Sequence, residues 1–401
     1  MYLNTIVPPS PRETPMKLCI VSRNIIRGDG QGRANYEIVK EALSRGHQVT
    51  IFSDGLELDL RNEPGITWVP ANAETIPSAF LHQIIFGRRS ATWLKKHHHD
   101  FDLIQSYGAV TQAPSNINTV QFVHSAWMRS PAHTLHTSRN MAYGLYQWGY
   151  GKLNSYWEKS AFKKTDLVIA VSEKIRQDLM DIGVPREKTR VIHNGVDIDE
   201  FLPGKLDRKT WELPEGVPLA LFAGDIRTSR KNLDSVLKAL KNVPDLHLAV
   251  LGGTDGSPYP AMAAELNLGD RVHFLGFRKD VAQVMRAVDF FVFPSRYEAC
   301  TLVLMEAMAS GLPVITASSA GGAELVSEDC GFVLSDSEDI KKLTEHLTTL
   351  AQNPQQRESM GKAARQLAEQ HLWVSKAKHY NDLFEEFIKD KSIQRQPVQV
   401  N

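Results

Sequence analysis

The chain has 401 residues, of which 42% are hydrophobic and 23% charged, and this length favours two domains over one. Its 46 basic and 46 acidic residues balance, which argues against a dedicated nucleic-acid-binding protein, because such proteins usually carry a basic excess. The three cysteines form no CxxC pair and no run approaches about 18 apolar residues, so the sequence predicts neither a disulfide framework, nor a zinc site, nor a membrane-spanning helix.

The first regular pattern begins after residues 1–15, which are rich in proline and which we interpret as a disordered tail. KLCIVSR predicts a strand, RGDGQGR a glycine-rich turn, the next residues a helix, and HQVTIFSD a second strand. Strand, helix and strand in this order form the βαβ unit of a parallel sheet. The apolar runs FDLIQSY, NTVQFVH and DLVIAVS continue the series, so we predict a Rossmann-like N-terminal domain over 16–195.

A second series of strands follows the turn-rich crossover VIHNGVDIDEFLPG. Its predicted strands are LALFAGD, LHLAVLGG, RVHFLGF, DFFVFPS and LPVITAS. We therefore predict a second Rossmann-like domain over 196–374, and an α/β fold in which two doubly wound domains face a central cleft. Residues 375–391 read as an amphipathic helix that packs either on its own domain or back on the N-terminal domain, and 392–401 as a tail.

The first glycine-rich turn raises the question of a dinucleotide site. Starting from Gly28 or from Gly30, the GxGxxG pattern fails because Arg33 or Asn35 occupies its last position, although Asp54 ends the second strand as a ribose-binding acid would. Two interpretations remain: a tight structural turn, or a turn whose amides, around Gly30 and Gly32, face an anion or an acceptor at a helix N-terminus.

Basic and polar residues follow several predicted strands. FAGDIRTSRKNL places Arg227, Arg230 and Lys231 between a strand and a helix, where cations suit a diphosphate, although a solvated basic loop is the plain alternative. His124 is the last residue of NTVQFVH and is predicted at a strand end, with a structural role as the alternative to a role in the cleft. The histidine run at 97–99 and the acidic pair at 197 and 199 lack suitable partners, so no metal site is predicted.

The stretch PSRYEACTLVLMEAMASGLPV contains two glutamates eight positions apart. Glu298 lies in a predicted loop and Glu306 inside the helix that follows, with Thr301 as the N-cap and Gly311 as the stop. The free amides of this helix start favour an anion, and a glutamate facing a sheet needs hydrogen-bond donors such as the hydroxyls of a sugar.

These residues resemble the E-x7-E signature of the family-4 retaining glycosyltransferases, which have the GT-B fold. The segments TDLVIAVSEKIRQDL, VIHNGVD and RVHFLGF match the same family in the same order, over roughly residues 17–390. The resemblance implies that Glu306 binds the ribose of a nucleotide-sugar donor, that Glu298 contacts the sugar and that Lys231 contacts the diphosphate. It further implies that His124 contacts the sugar and that the backbone of Phe277 and Arg278 contacts the base. The turn at Gly30 and Gly32 would contact the acceptor and a phosphate. Backbone amides near the sugar and the diphosphate would come from Ala299, Cys300, Thr301 and Leu302.

Two departures from the family pattern matter. Asp225 stands where the family has the second diphosphate-binding cation, so Arg227 or Arg230 is expected to replace it. Ala299, Cys300 and Thr301 replace the family's Gly-Phe-Gly, and their side chains are expected to restrict the sugar pocket.

The function implied is transfer of a hexose-type sugar from a nucleotide diphosphate to an acceptor hydroxyl, with retention and without a metal. The nucleotide sugar is then a co-substrate, no other cofactor is expected, and the acceptor is a polysaccharide, a glycolipid or a small molecule. A nucleotide-sugar epimerase of similar fold and a non-catalytic sugar-nucleotide-binding subunit are the alternatives.

The cysteine usage fits a reducing compartment, so a cytoplasmic protein is expected. Segments 80–99 and 127–164 combine aromatic, apolar and basic residues, which suggests peripheral contact with the inner face of the membrane. Internal packing and acceptor binding are the alternatives for these segments, and no nucleic-acid partner is predicted.

Overall fold

The computed structural model describes residues 15–28, 30–76, 78–137 and 141–394. The strands are β1 (Lys17–Val21), β2 (Asn24–Ile25), β3 (Gln48–Ser53), β4 (Gly55–Leu56), β5 (Ile66–Pro70), β6 (Leu103–Tyr107), β7 (Ile117–Val120), β8 (Leu167–Ala170), β9 (Thr189–Val191), β10 (Leu219–Ala223), β11 (His247–Leu251), β12 (Val272–Gly276), β13 (Phe290–Phe293), β14 (Val314–Ala317) and β15 (Gly331–Leu334). The helices are α1 (Gly30–Ser44), α2 (Leu58–Arg61), α3 (Ala79–His97), α4 (His124–Trp127), α5 (Thr134–Thr137), α6 (Met141–Lys164), α7 (Glu173–Met180), α8 (Leu233–Leu240), α9 (Tyr259–Glu265), α10 (Val281–Met285), α11 (Leu302–Ala309), α12 (Ile340–Gln352), α13 (Pro354–Ala368) and α14 (Trp373–Gln394).

The first large sheet has seven strands in the order β5-β3-β1-β6-β7-β8-β9. Its pairs β1–β3, β1–β6, β3–β5, β6–β7 and β8–β9 are parallel. The chain therefore starts in the middle of the sheet, builds one side and then returns to build the other, which is the doubly wound arrangement expected from the sequence. The sequence prediction missed β5 and β9, which are short strands at the two edges.

The second large sheet has six parallel strands in the order β12-β11-β10-β13-β14-β15. Four of these strands, β10, β11, β13 and β14, consist mainly of fully buried apolar residues, as the continuous apolar runs in the sequence predict for strands covered on both faces. Counted from β10, the order is 3-2-1-4-5-6, so a topological switch point lies between β10 and β13. The first sheet has the same pattern, with its own switch point between β1 and β6.

Two compact units emerge from the contacts. One comprises residues 1–119, 163–167 and 377–401, and the other comprises 120–162 and 168–376. The predicted domain boundary at 195/196 stays a prediction. Of the predicted tails, 1–14 and 395–401 lie outside the described residues.

The C-terminal helix contributes to the first unit from Ala377 onward. Asn381 Nδ2 donates to the carbonyl of Ile38 in α1 at 3.1 Å. Arg45, at the end of α1, forms ion pairs with Asp382 at 2.7 Å and Glu385 at 3.2 Å. The long polar helix is thus held by a buried amide and by a guanidinium with two carboxylate partners.

The start of the same helix meets the crossover segment at a glycine. The amide of Val196 donates to the carbonyl of His371 at 2.9 Å, and a Cβ on Gly195 would lie 2.5 Å from the backbone of Trp373. Only glycine allows this approach, because a methyl group there would collide with backbone atoms.

Candidate functional site

Three of the predicted site residues meet at the switch point of the second sheet. Arg230 and Lys231 lie in a short 3-10 helix (Ser229–Lys231) after β10, and Glu298 lies in the loop after β13. Glu298 Oε1 accepts hydrogen bonds from Lys231 Nζ at 2.6 Å and from Arg230 Nη1 at 2.9 Å. Ser295 Oγ donates to the same oxygen at 3.3 Å. Ligands of open α/β sheets bind at such a crevice, outside the carboxyl ends of the strands.

The Lys231–Glu298 pair is largely shielded from solvent, with side-chain exposures of 14% and 13%. Burial lowers the pKa of Lys231, and the charge of Glu298 counters that shift. The ammonium also lies 5.2 Å from the ring centroid of Phe293. Two cations therefore share one carboxylate, which leaves the cluster of Arg230, Lys231 and Glu298 with one positive charge in excess.

The loop that carries the two cations is fixed by polar contacts. Asn232 has a left-handed backbone with φ of 66°, and its Nδ2 donates to the carbonyls of Pro294 at 3.0 Å and Ser337 at 2.7 Å. Arg296 forms two bonds of 2.8 Å with the carboxylate of Asp234. The cluster is therefore held in place before any ligand arrives, a property expected of an electrostatic binding site.

The start of α11 is fixed by a close backbone approach. A Cβ on Gly321 would lie 1.8 Å from the carbonyl oxygen of Ala299, so this position requires glycine. Ser172 Oγ donates to that same oxygen at 2.5 Å, and the amide of Thr301 donates to the carbonyl of Gly321 at 2.9 Å.

Thr301 occupies the N-cap position of α11, as predicted, but its side chain makes no capping bond. Its Oγ1 is buried and finds no hydrogen-bond partner among the residues that the structure describes. Burial of an unpaired hydroxyl is unfavourable. The neighbouring Cys300 is different, because burial raises the pKa of its thiol to about 12 and keeps it protonated.

Glu306 lies on α11, and its carboxyl group is strongly desolvated. Burial raises its pKa to about 7, and the charge of Glu200 adds to the shift. No hydrogen-bond donor within the described part of the chain contributes to this pKa. A carboxyl group of this kind gains most from a ligand that brings hydroxyl donors.

His124 opens α4 rather than ending a strand, which corrects the sequence expectation, because β7 ends at Val120. Its backbone amide turns away from the sheet and donates to Glu158 Oε1 at 2.8 Å. The ring Nδ1 lies 2.6 Å from that same oxygen. Tyr297, the residue before Glu298, donates its hydroxyl to the carbonyl of Val123 at 3.1 Å.

The two arginines that the sequence offered as replacements for the missing cation lie in different environments. Arg227 is 63% exposed and pairs with Asp225 at 2.8 Å, whereas Arg230 reaches Glu298. Asp225 therefore engages the arginine two positions after it, and Arg230 is the cation that the structure brings beside Lys231.

The predicted base-binding residues follow β12. Phe277 is 81% exposed, and Arg278 pairs with Asp280 at 2.7 Å. The pKa of Asp280 falls to about 2, chiefly because Arg278 donates to it, with a smaller effect from the indole of Trp211.

The glycine-rich turn belongs to the first unit. Helix α1 starts at Gly30, so the predicted turn is partly helical. A Cβ on Gly32 would lie 2.4 Å from the carbonyl oxygen of Ile26. Close packing alone therefore requires glycine at this position, whether or not a ligand binds there. Asp54 accepts from the amide of Ala73 and pairs with His82, each at 2.7 Å, so its carboxylate is already engaged.

Several residues of the site carried no sequence signal that we used. These are Glu158, Asn232, Arg296, Tyr297 and Gly321. Glu158 is the one acidic residue in the segment 127–164, and this isolation was the one signal available in the sequence.

The described residues contain neither a metal-binding cluster nor a membrane-spanning helix. No group of three or more His, Cys, Asp or Glu side chains there is arranged to hold a metal ion. No helix in the described ranges has both the length and the apolar composition needed to cross a membrane.

Two family models match the chain in succession. One is described as Glycosyltransferase Family 4 and matches residues 28–200, and the other is described as Glycosyl transferases group 1 and matches residues 205–367. The sequence is 32% identical over 220 residues to a D-inositol 3-phosphate glycosyltransferase of Mycolicibacterium smegmatis, covering 52% of this chain and 50% of that protein. It is 31% identical over 222 residues to the sulfoquinovosyl transferase SQD2 of Arabidopsis thaliana, covering 53% and 42%. The chain thus matches about half the length of these relatives.

Solved structures resemble the chain over nearly its whole length. Sucrose-phosphate synthase from Thermosynechococcus elongatus has a TM-score of 0.75 at 19% identity, covering 94% of this chain and 100% of that one. WaaG, a glycosyltransferase involved in lipopolysaccharide biosynthesis, has a TM-score of 0.71 at 20% identity, covering 92% and 99%. HepE of Anabaena in complex with UDP-glucose has a TM-score of 0.65 at 20% identity, covering 92% and 100%. These similarities establish the GT-B fold predicted from the sequence.

Proposed function

The chain belongs to the family-4 glycosyltransferases, and from this premise we propose that it transfers a hexose-type sugar from a nucleotide diphosphate to an acceptor hydroxyl. One observation carries the proposal. Arg230 and Lys231 converge on Glu298 at the switch point of the second sheet, beside the start of α11. The excess positive charge of this cluster is opposite in sign to the charge of a diphosphate.

The same cluster supports the proposed chemistry. Breaking the anomeric C–O bond leaves negative charge on the diphosphate, and donors fixed in place beforehand stabilise such charge without reorganising. A diphosphate beside the cluster would accept the remaining hydrogens of Lys231 and Arg230 without displacing either cation, and Glu298 Oε2, which accepts no hydrogen bond from the described residues, is left for a sugar hydroxyl. Glu298 thus keeps the cations desolvated and ready in the absence of donor.

The ribose is assigned to Glu306. Its carboxyl group has a pKa of about 7 because it is buried, and the two hydroxyls of a ribose would supply the donors that the protein does not. The buried Oγ1 of Thr301 lies at the start of the same helix and is proposed to bind the sugar or the diphosphate.

We further propose that the reaction retains the anomeric configuration and needs no metal. In this mechanism the acceptor attacks from the face that the leaving group departs from, and the leaving phosphate helps to deprotonate the acceptor hydroxyl. The name of the first relative suggests one acceptor class to examine, a phosphorylated polyol.

The test is release of nucleoside diphosphate from a panel of nucleotide sugars, with and without candidate acceptors, in the presence and absence of EDTA. Acceptor-dependent release that EDTA leaves unchanged, with an α-linked product from an α-linked donor by NMR, is the expected result. Conversion of the donor to an epimer without acceptor would favour the epimerase instead. Tight nucleotide binding without turnover of any donor would favour a non-catalytic subunit.

Peripheral membrane contact is a separate proposal, based on helix α6. Its surface exposes Met141, Leu145, Trp148 and Tyr156, and the helix also carries Lys152. Exposed aromatic and apolar residues mixed with lysine suit the interface of an anionic bilayer. Co-sedimentation with anionic but not with neutral liposomes is expected, and equal recovery in the supernatant with both would reject the contact.

A further inference from the structure

The side chain of His124 is anchored by a buried carboxylate from another helix. Glu158 lies in α6 and is 1% exposed, and its Oε1 lies 2.6 Å from the ring Nδ1 of His124. The same Oε1 accepts the amide of His124 at 2.8 Å, and Oε2 accepts the amide of Ser125 at 3.3 Å. One carboxylate therefore holds both the backbone and the ring of this residue.

This arrangement determines which ring nitrogen carries the proton. A carboxylate can only accept, so Nδ1 must donate, and in the neutral imidazole Nε2 is left with its lone pair. Within the described chain, Nε2 makes no hydrogen bond, and the histidine side chain keeps 24% of its surface exposed. Rings of Phe122 and Tyr150 lie edge-on at centroid distances of 5.0 Å and 5.8 Å and limit rotation of the imidazole.

The imidazole of His124 is linked to the loop that carries Glu298, one member of the cluster of Arg230, Lys231 and Glu298. The hydroxyl of Tyr297 donates to the carbonyl of Val123, the residue before His124, and Tyr297 directly precedes Glu298. The position of the imidazole is thus tied through one hydrogen bond to the loop that carries the sugar-contacting glutamate.

We propose that Glu158 is a positioning residue, which fixes His124 in the Nδ1–H tautomer and presents Nε2 as a hydrogen-bond acceptor for a hydroxyl of the reacting sugar. This inference rests on the proposed function for its catalytic meaning, but its structural part does not depend on turnover. A ring nitrogen with a free lone pair at this point would select a donor sugar that presents a hydroxyl to it.

The first arm of the test measures the tautomer directly. Long-range ¹H–¹⁵N spectra of protein labelled at its 14 histidines, with His124 assigned by its loss in His124→Gln, report which nitrogen is protonated. We expect Nδ1–H in the wild type, and a mixture of tautomers in Glu158→Ala. Glu158→Gln is expected to restore Nδ1–H, because the carbonyl oxygen of the introduced side chain can replace Glu158 Oε1 as the acceptor for the amide and for Nδ1–H of His124. Tyr150→Phe keeps the ring contact and is expected to match the wild type.

The second arm is kinetic and uses a double-mutant cycle. Glu158→Ala is expected to lower kcat about 10- to 100-fold, by analogy with the carboxylates that orient metal-ligating histidines. In a His124→Ala background the same substitution should cost nothing more, because there is no ring left to position. An equal loss in both backgrounds would mean a merely structural role and would overturn the proposal.

The two arms separate the possible failures. A wild-type His124 with an unprotonated Nδ1, or Nδ1–H retained unchanged in Glu158→Ala, refutes the positioning role whatever the activity. If no donor is turned over but the tautomers behave as expected, the proposed function fails and the positioning role stands. Should Glu158→Ala not fold, the wild-type tautomer and Glu158→Gln decide the question.

Discussion

Two arginines three positions apart differ in what they contact, and this difference makes a sharp prediction. Arg230 donates to Glu298 beside Lys231, whereas Arg227 is exposed and paired with Asp225. We expect Arg230→Ala to impair donor binding and turnover, and Arg227→Ala to leave both nearly unchanged. The two substitutions remove the same charge and the same side chain, so each serves as the control for the other.

The expected magnitude follows from the burial of the cluster. A charge-assisted hydrogen bond to a partly buried group contributes about 1.5–3 kcal/mol, and each ~1.4 kcal/mol corresponds to a factor of ten. Loss of Arg230 should therefore lower kcat/KM by roughly 10- to 150-fold. An exposed ion pair contributes about 0–1 kcal/mol, so Arg227→Ala should change kcat/KM by less than about 5-fold.

The assay is nucleoside diphosphate release at subsaturating donor, accompanied by calorimetric measurement of nucleoside diphosphate binding. Thermal melts of both variants exclude a general loss of structure, which is not expected because Glu298 keeps Lys231 and Ser295 as partners. If Arg227→Ala costs as much as Arg230→Ala, or if Arg230→Ala costs nothing, the assignment of Arg230 to the diphosphate is wrong.

Four further predictions concern Glu306, the pH dependence of nucleotide binding, Gly321 and Thr301. Glu306 has a pKa of about 7, above its ordinary value of 4.5, so its ionisation lowers the stability of the fold as the pH rises from 4.5 to about 7. Glu306→Gln should therefore have a higher melting temperature than the wild type at pH 8 and the same melting temperature at pH 4. The same variant should bind the nucleotide more weakly. Nucleotide binding to the wild type should weaken as the pH falls below about 7, because ribose hydroxyls donate best to the ionised carboxylate of Glu306. If calorimetry shows the same pH dependence for Glu306→Gln, the assignment of Glu306 to the ribose is contradicted. Gly321→Ala should lower the melting temperature strongly because its Cβ meets the Ala299 carbonyl at 1.8 Å, whereas Gly269→Ala, whose Cβ meets nothing within 4 Å, should not. Thr301→Val removes a buried hydroxyl without a partner, so stability should be kept or should rise while donor affinity falls; an unchanged Kd for the donor would exclude a ligand contact there.

The fold was largely predictable because buried parallel strands leave a strong trace in the sequence. Runs such as LALFA and FFVF are fully buried in β10 and β13, and glycines or charged residues mark where the loops begin. The edge strands β5, β9 and β15 were missed: β5 and β9 are only partly buried, and β15 has only four residues. The end of β7 was placed four residues too late because FVH continues the apolar pattern although its backbone already turns toward Glu158.

The candidate site was predictable in part. The places of Lys231 after a strand, of Glu298 in a loop and of Glu306 in the helix that follows were predicted from local patterns, and the family resemblance implied that Lys231 and Glu298 share one site although 67 residues separate them. The partner of His124 was not predicted, since Glu158 lies 34 residues away on a helix whose composition suggested a surface. Likewise, the choice between Arg227 and Arg230 depends on the direction of each side chain, which the spacing of residues in a loop does not specify.

The central claim is that the cluster of Arg230, Lys231 and Glu298 holds the diphosphate of a nucleotide sugar during transfer. The most direct measurement is the rate of acceptor-dependent nucleoside diphosphate release by the wild type and by Lys231→Ala, each at saturating donor. We predict turnover by the wild type and a kcat that is about 10- to 100-fold lower in the variant. The reason is that the ammonium of Lys231 stabilises negative charge that grows in the transition state. Turnover by Lys231→Ala at the wild-type rate would contradict the account.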